Sequence, residues 1–404
     1  MSREIDSGYA WFRLGISVLL STLGGVGMWS VVVALPSVQA EFGAARGEAS
    51  LPFTLTTIGF GVGGVVMGRL SDRVGIVAPV LIGAGSLGIG YSLAAVAGSL
   101  SQFALAYGLL IGLCGSASTF VPLMADVSKW FERRRGIAVA ICASGNYIAG
   151  AFWPPLVQYL IQTQGWRNAH LWIGIACVVL MVPLALLLRS PAPVRAANAA
   201  HVVRRFPKVE NLKPSTLQVL LAIAGFACCV AMSMPQVHIV AYCGDLGYGI
   251  ANGARMLSVM MIGGIISRIG SGFIADRLGG MATLAIGSAA QMTALALYLT
   301  SHDLVSLYVI SAMFGLFQGG LVPSYAIVIR ENFPANEAGG RVGIVIMMTL
   351  LGMALGGWMS GVIFDLTGSY RAAFANGVAW NALNLAIAVF LLSRGRGRSL
   401  LRTA

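Results

Sequence analysis

The chain has 404 residues, of which 57% are hydrophobic and only 10% charged, against roughly 25% charged in a soluble globular protein. Its main solvent is therefore the bilayer, which excludes an ordinary water-soluble domain. Lysine and arginine number 26 against 14 acidic residues, a net charge of +12; the excess invites a nucleic-acid reading, but its distribution along the chain argues against one.

Hydropathy predicts about twelve apolar stretches of the ~20 residues that ~30 Å of hydrocarbon requires, near 12–36, 50–69, 77–98, 103–127, 136–161, 169–188, 216–242, 252–275, 280–300, 303–329, 341–364 and 371–393. The first is entered through Asp6-Ser7-Gly8-Tyr9-Ala10-Trp11; it is too long for a signal-peptide core and reads as retained. Between the second and third lies Gly68-Arg69-Leu70-Ser71-Asp72-Arg73-Val74-Gly75. The fourth ends at Asp126 and Lys129, and the fifth opens from Trp130-Phe131-Glu132-Arg133-Arg134-Arg135-Gly136-Ile137-Ala138 and carries Pro154-Pro155, which should kink it. Residues 189–215, with Pro191, Pro193 and several basic residues, read as a linker between an N-terminal bundle over 1–188 and a C-terminal bundle with a basic tail over 216–404. The seventh stretch holds His238, read as the one histidine inside an apolar span. The eighth holds Arg268 and closes on Gly272-Phe273-Ile274-Ala275-Asp276-Arg277-Leu278-Gly279. The cysteines lie in or at the ends of apolar stretches without metal-ligand spacing, and read as packing residues with neither a disulfide framework nor a metal site.

Two features organise these stretches. Asp72-Arg73 recurs as Asp276-Arg277 at an offset of 276 − 72 = 204 residues, and the same offset carries Glu41-Phe42-Gly43 onto Asp245-Leu246-Gly247 and Trp166-Arg167 onto Tyr370-Arg371. A duplicated set of membrane helices is the plan of secondary transporters, whose substrate sites lie between repeats near the bilayer midplane. Second, Arg46, Arg167, Arg255 and Arg371 fall in one set of loops. The basic run 133–135, Lys208, Lys213 and the tail Arg394 and Arg396 fall on the side of the termini. This is the positive-inside pattern, with both ends cytoplasmic and an even number of spans. Nucleic-acid binding is not needed to explain the charge.

The two Asp-Arg segments resemble the loop signature of the major facilitator superfamily, in which the pair latches helix ends on the cytoplasmic side. Asp72, Arg73, Asp276 and Arg277, with Arg133 and Arg134 as partners, are the gating residues this implies. Asp6 to Trp11 and Trp130 to Ala138 resemble the two signatures of the monocarboxylate transporter family, the second of them shared with oxalate/formate exchangers. The resemblance implies an all-α membrane protein of twelve transmembrane helices in two six-helix bundles that rock about a central site. It also implies a bacterial-type proton-coupled carrier of lactate or pyruvate in the inner membrane, working as a monomer in the bilayer. That family carries its carboxylate-binding arginine in the eighth helix, where Arg268 stands. Many members also place a lysine in the first helix and an aspartate one turn before the arginine; here those positions are Trp29 and Gly264, so their proton relay does not transfer.

Arg268 also stands out on physical grounds. It lies nine residues before Arg277, roughly 13 Å along a helix at ~1.5 Å per residue, and a charge at that depth costs a few kcal/mol unless it has a partner or water. A substrate carboxylate matches its planar fork, and a single deep cation favours a monoanion over a dianion. Met28, Trp29, Asn146, Tyr147, Phe317, Gln318 and Tyr325 are the expected pocket residues near the midplane. His238 is the expected proton carrier because an imidazole titrates near neutral pH. Asp126 is the second candidate, read chiefly as a gate ion pair with the neighbouring basic run. No cofactor is expected beyond the proton gradient, and no nucleophile-base pair or nucleotide loop points to an enzyme. The alternatives are an oxalate/formate-type exchanger and, in a different class, a non-transporting membrane sensor with an appended signalling domain, of which the sequence shows none.

Overall fold

A computed structural model describes residues 5–190 and 212–396, and among these every regular element is helical. Most of the expected linker and the end of the basic tail lie outside the described residues. The apolar helices are α1 (Gly8–Phe42), α2 (Arg46–Val74), α3 (Val77–Ala95), α4 (Leu100–Trp130), a long helix Arg135–Leu187, then α7 (Pro214–Asp245), α8 (Ile250–Leu278), α9 (Gly280–Thr300), α10 (Leu304–Asn332), α11 (Glu337–Thr367) and α12 (Tyr370–Arg394). The long helix has 53 residues and turns at Gly165, at φ 79° and ψ 158°. It spans about 80 Å at ~1.5 Å per residue, more than two thicknesses of ~30 Å hydrocarbon. It therefore holds two crossings, α5 (135–164) and α6 (166–187), and the twelve expected crossings are present.

Local chemistry sets the ends of these helices. Ser7 caps α1 by accepting from the Ala10 N–H, and Asp303 caps α10 by accepting from the Ser306 N–H at 3.0 Å. The repeat read in the sequence recurs in the backbone. Gly75 and Gly279 close α2 and α8 at φ 83° and 85°, and Gly43 and Gly247 follow α1 and α7 at φ 59° and 78°. Each pair is 204 residues apart (279 − 75 and 247 − 43), and each needs a residue without a Cβ.

The chain divides into two compact units, Met1–Ala196 with Val237–Met261, and Ala197–Gln236 with Ile262–Ala404. The boundaries thus fall inside α7 and α8, and 237–261 joins the first unit, whereas the sequence places the division at the linker.

Within the first unit a buried chain of hydroxyls joins four helices. The Tyr91 hydroxyl lies 2.7 Å from Ser30 Oγ, Ser30 Oγ 3.1 Å from the Tyr107 hydroxyl, and the Tyr107 hydroxyl 2.7 Å from His170 Nε2. His170 Nδ1 lies 2.6 Å from the Trp166 carbonyl oxygen. His170 is fully buried in α6, so His238 is not the one histidine inside a span. Both ring nitrogens are taken up in this chain, which makes His170 a packing residue rather than a proton carrier. In the second unit Tyr325 donates to Asn384 Oδ1 at 2.7 Å, Asn384 to Ser288 Oγ at 2.9 Å, and Asn381 to the Ser288 carbonyl at 2.8 Å, tying α12 to α9 and α10.

The fourth helix of each repeat is irregular at the same register. α4 passes into a π-helical stretch over Ala106–Gly115 and a 3₁₀ turn over Ser116–Thr119 before resuming at Val121. α10 stops at Gln318, passes through Gly319 and Gly320, and restarts at Leu321. Gly115 and Gly319 are again 319 − 115 = 204 residues apart.

Candidate substrate-binding site

In the second unit, the part of α8 from Ile262 onward carries Arg268, ten residues before the helix ends at Leu278, and packs its small residues against the interruption in α10. A Cβ on Gly319 would meet the Gly264 backbone, and one on Gly263 would meet Ala312 and Leu316 backbone atoms. The two backbones touch at this level as only glycine allows. Ser267, the residue before Arg268, accepts from the Gly320 N–H through its hydroxyl at 3.2 Å, filling a bond that the break in α10 opens. Ser271 donates to the Arg268 carbonyl at 3.1 Å. Arg268 itself is half-buried.

Gln318 ends the first segment of α10 and is fully buried. Its Oε1 accepts from Gln236 Nε2 on α7 at 3.0 Å. Gln236 carries no sequence signal beyond being an amide inside an apolar stretch, and sequence reasoning passes it over. Phe317 is half-buried beside it. Tyr325, an expected pocket residue, is instead in the core: it is fully buried and its hydroxyl is bonded to Asn384. That removes it from the candidate substrate contacts.

The first unit holds the other expected pocket residues. Trp29 is buried and donates its indole N–H to the Asn146 carbonyl oxygen at 3.1 Å, and a Cβ on Gly150 would meet both Trp29 and Met261. Met28 and Tyr147 are buried nearby in sequence, and Asn146 is half-buried. Trp29 thus fills with an apolar indole the place where many monocarboxylate transporters carry a lysine. His238 is buried in α7.

The residues expected to gate pair differently from the sequence expectation. Asp126 forms a two-pronged ion pair with Arg13 of α1, at 2.9 Å from Nε and 3.1 Å from Nη2, rather than with the run 133–135. Arg13 is 2% exposed, and its guanidinium lies 4.7 Å over the Trp130 ring. Sequence reasoning missed Arg13, although an arginine just inside the first apolar stretch asks for an acid. Asp72 pairs with Lys129 at 3.4 Å, both side chains largely exposed, so that contact contributes at most about 1 kcal/mol. Arg73, Asp276, Arg277, Arg133 and Arg134 are exposed. At the other end of the helices, Glu41 accepts from Arg167 at 2.6 Å and from Trp166 at 2.5 Å, and Arg46 pairs with Asp245 at 3.1 Å.

The two sequence signatures dock on each other. Asp6, at φ 56°, accepts from the Arg133 N–H at 3.0 Å and the Glu132 N–H at 3.3 Å, while its own N–H donates to the Trp130 carbonyl at 3.0 Å. Tyr9 packs edge-on against Trp130 at 5.3 Å and Trp11 against Phe131 at 5.0 Å. The entry to α1 is strapped to the turn between α4 and α5, and Arg13–Asp126 continues the strap one helical turn further in.

The duplicated register, the twin glycine closures and the Asp-Arg loops converge on one architecture, and the profile of the Major Facilitator Superfamily matches residues 17–306 and 281–402. The chain belongs to the major facilitator superfamily. Among curated relatives of this transporter chain, "Monocarboxylate transporter 13" of Bos taurus is 29% identical over 381 residues, covering 91% of this chain and 86% of that protein. "Monocarboxylate transporter 11" of Homo sapiens is 27% identical, covering 91% and 80%. A solved bacterial homologue of the human lysosomal transporter Spinster, in an inward-facing and unoccupied conformation, shares the superfamily fold with a TM-score of 0.69 at 14% identity, over 97% of this chain and 98% of that one. These sequence relatives are animal proteins, so they do not show the bacterial type.

Proposed function

We propose that this superfamily member is a proton-coupled symporter of small monocarboxylates such as lactate or pyruvate, working by alternating access, with Arg268 as the anion anchor. The observation that carries this reading is a half-buried arginine inside α8, ten residues before the helix ends at Leu278 and beside the interrupted α10. A fixed guanidinium at that depth is costly in hydrocarbon, and a transported carboxylate offers it a bidentate, charge-assisted partner. Helices broken at mid-depth line substrate sites in transporters of this plan. The relatives named as monocarboxylate transporters support the same substrate class.

His238 is the proposed route for the proton, with Asp126 in a gating role, since its carboxylate is committed to Arg13. A bacterial inner membrane, cytoplasmic termini and a monomeric state belong to the same proposal, supported by the positive-inside pattern for the termini. The experiment is uptake of labelled lactate into proteoliposomes with an imposed gradient, acid outside. Accumulation that a protonophore collapses supports symport. Accumulation that resists the protonophore and needs a preloaded anion supports exchange instead.

A further inference from the structure

Gln236 and Gln318 face each other inside the second unit, 3% and 0% exposed, joined by a single hydrogen bond of 3.0 Å. Two carboxamides in contact can form two such bonds, and here they form one. Among the described residues, Gln236 Oε1 and Gln318 Nε2 are each buried without a hydrogen-bond partner. Turning both amides over exchanges the roles and leaves the same result, one open acceptor and one open donor. Buried amide atoms in this condition are rare in folded proteins and call for a missing partner.

The pair stands at the break in α10. Gln318 is the last residue before the Gly319–Gly320 interruption of α10, the Gly320 N–H is bonded by Ser267, and the next residue of α8 is Arg268. Irregular backbone at membrane depth occurs where it lines a solute path or is buried in protein. The repeat-equivalent of Gln318 is Cys114 and that of Gln236 is Val32, at 318 − 114 = 236 − 32 = 204. The amide pair therefore belongs to the second repeat only and is not a requirement of the duplicated fold.

We infer that the Gln236–Gln318 pair recognises the oxygen on the carbon next to the transported carboxylate, making the protein selective for 2-hydroxy and 2-oxo monocarboxylates over acids without that oxygen. The inference rests on the monocarboxylate reading above and names its substrate class. A 2-hydroxyl group fits both open atoms at once, donating to Gln236 Oε1 and accepting from Gln318 Nε2. A 2-oxo group accepts from Gln318 alone. An acid with a bare methylene leaves both amide atoms unpaired, and sites built to bond a hydroxyl reject analogues that lack it far more strongly than sites that read size.

The test compares labelled L-lactate with labelled propionate, which differs by that oxygen, in proteoliposomes of wild type, Gln318→Met and Gln236→Met, each variant checked for a monodisperse, cooperatively unfolding protein. Wild type should prefer lactate by about tenfold or more. Each methionine variant should lose most of that preference, lactate uptake falling by clearly more than propionate uptake. Equal uptake of the two acids by wild type, or a parallel fall of both in the variants, would overturn the inference and make the pair a helix-packing contact bridged by water. Where a methionine variant does not fold, the wild-type ratio decides alone. A wild type that transports neither acid removes the monocarboxylate reading, and this inference with it; a wild type that transports both alike removes only the inference.

Discussion

α4 and α10 hold the same place in the two repeats and lose regularity at the same register, Gly115 and Gly319, but the two breaks are finished differently. In α4 the chain keeps its polar groups close to home: Ser118 donates to the Gly115 carbonyl at 2.7 Å, Thr119 to the Ser116 carbonyl at 2.9 Å, and one hydroxyl, that of Ser116, is left over. In α10 two glycines bring α8 into backbone contact, Ser267 supplies one bond, and a buried amide pair is left half-satisfied. The first repeat also carries a buried ion pair, Arg13–Asp126, where the second has buried Leu217 and exposed Arg330 at the equivalent positions, 13 + 204 and 126 + 204. The difference teaches that duplication fixed the scaffold while chemistry diverged. The first repeat has strapped its helix ends together, and the second leaves a buried amide pair half-satisfied beside a broken helix.

The ion pair gives the largest expected effect on stability. Asp126→Ala leaves Arg13 buried and charged, and thermal or denaturant unfolding in detergent should show a loss of about 3–5 kcal/mol. The double change Arg13→Met with Asp126→Leu, which makes the first repeat apolar there, should recover most of it. A double variant as unstable as the single one would break the comparison at this point.

The breaks themselves come next. An alanine at Gly319 meets backbone of Gly264, whereas one at Gly115 meets chiefly the Leu87 side chain, which can turn aside. Gly319→Ala should therefore cost about 1–3 kcal/mol and Gly115→Ala clearly less, measured by the same unfolding assay. Equal losses would show that the two breaks are equally constrained. A smaller effect is expected at Ser116, where Ser116→Ala removes a buried hydroxyl that has no partner among the described residues and should be neutral or slightly stabilising. The smallest belongs to the surface latch: Asp72→Asn should change stability by less than about 1 kcal/mol, and the change should shrink as salt is raised.

The fold was legible because its signals are long and repeated. Twelve apolar stretches need only hydropathy, and the 204-residue offset ties Asp72 to Asp276 and Gly75 to Gly279 before any coordinate is known. The pairings were not legible. Arg13 and Asp126 are 113 residues apart in sequence, and nothing in the spacing says which acid an inner-end arginine will find. A polar ring within an apolar stretch suggests a pocket, which places Tyr325 near substrate; in the structure Asn384 satisfies it, as membrane helices commonly do for their own polar groups. Gln236 is a lone amide in an apolar stretch and has no meaning until Gln318 is set opposite it.

In the proposed function the second repeat holds the anion through Arg268. Uptake of labelled lactate into proteoliposomes under an acid-outside gradient, compared between wild type and an equally folded Arg268→Gln variant, tests it most directly. Wild type should show saturable accumulation and the glutamine variant none above background, with Arg268→Lys keeping only a small fraction because it retains charge without the planar fork. Near-normal saturable uptake by Arg268→Gln would contradict it.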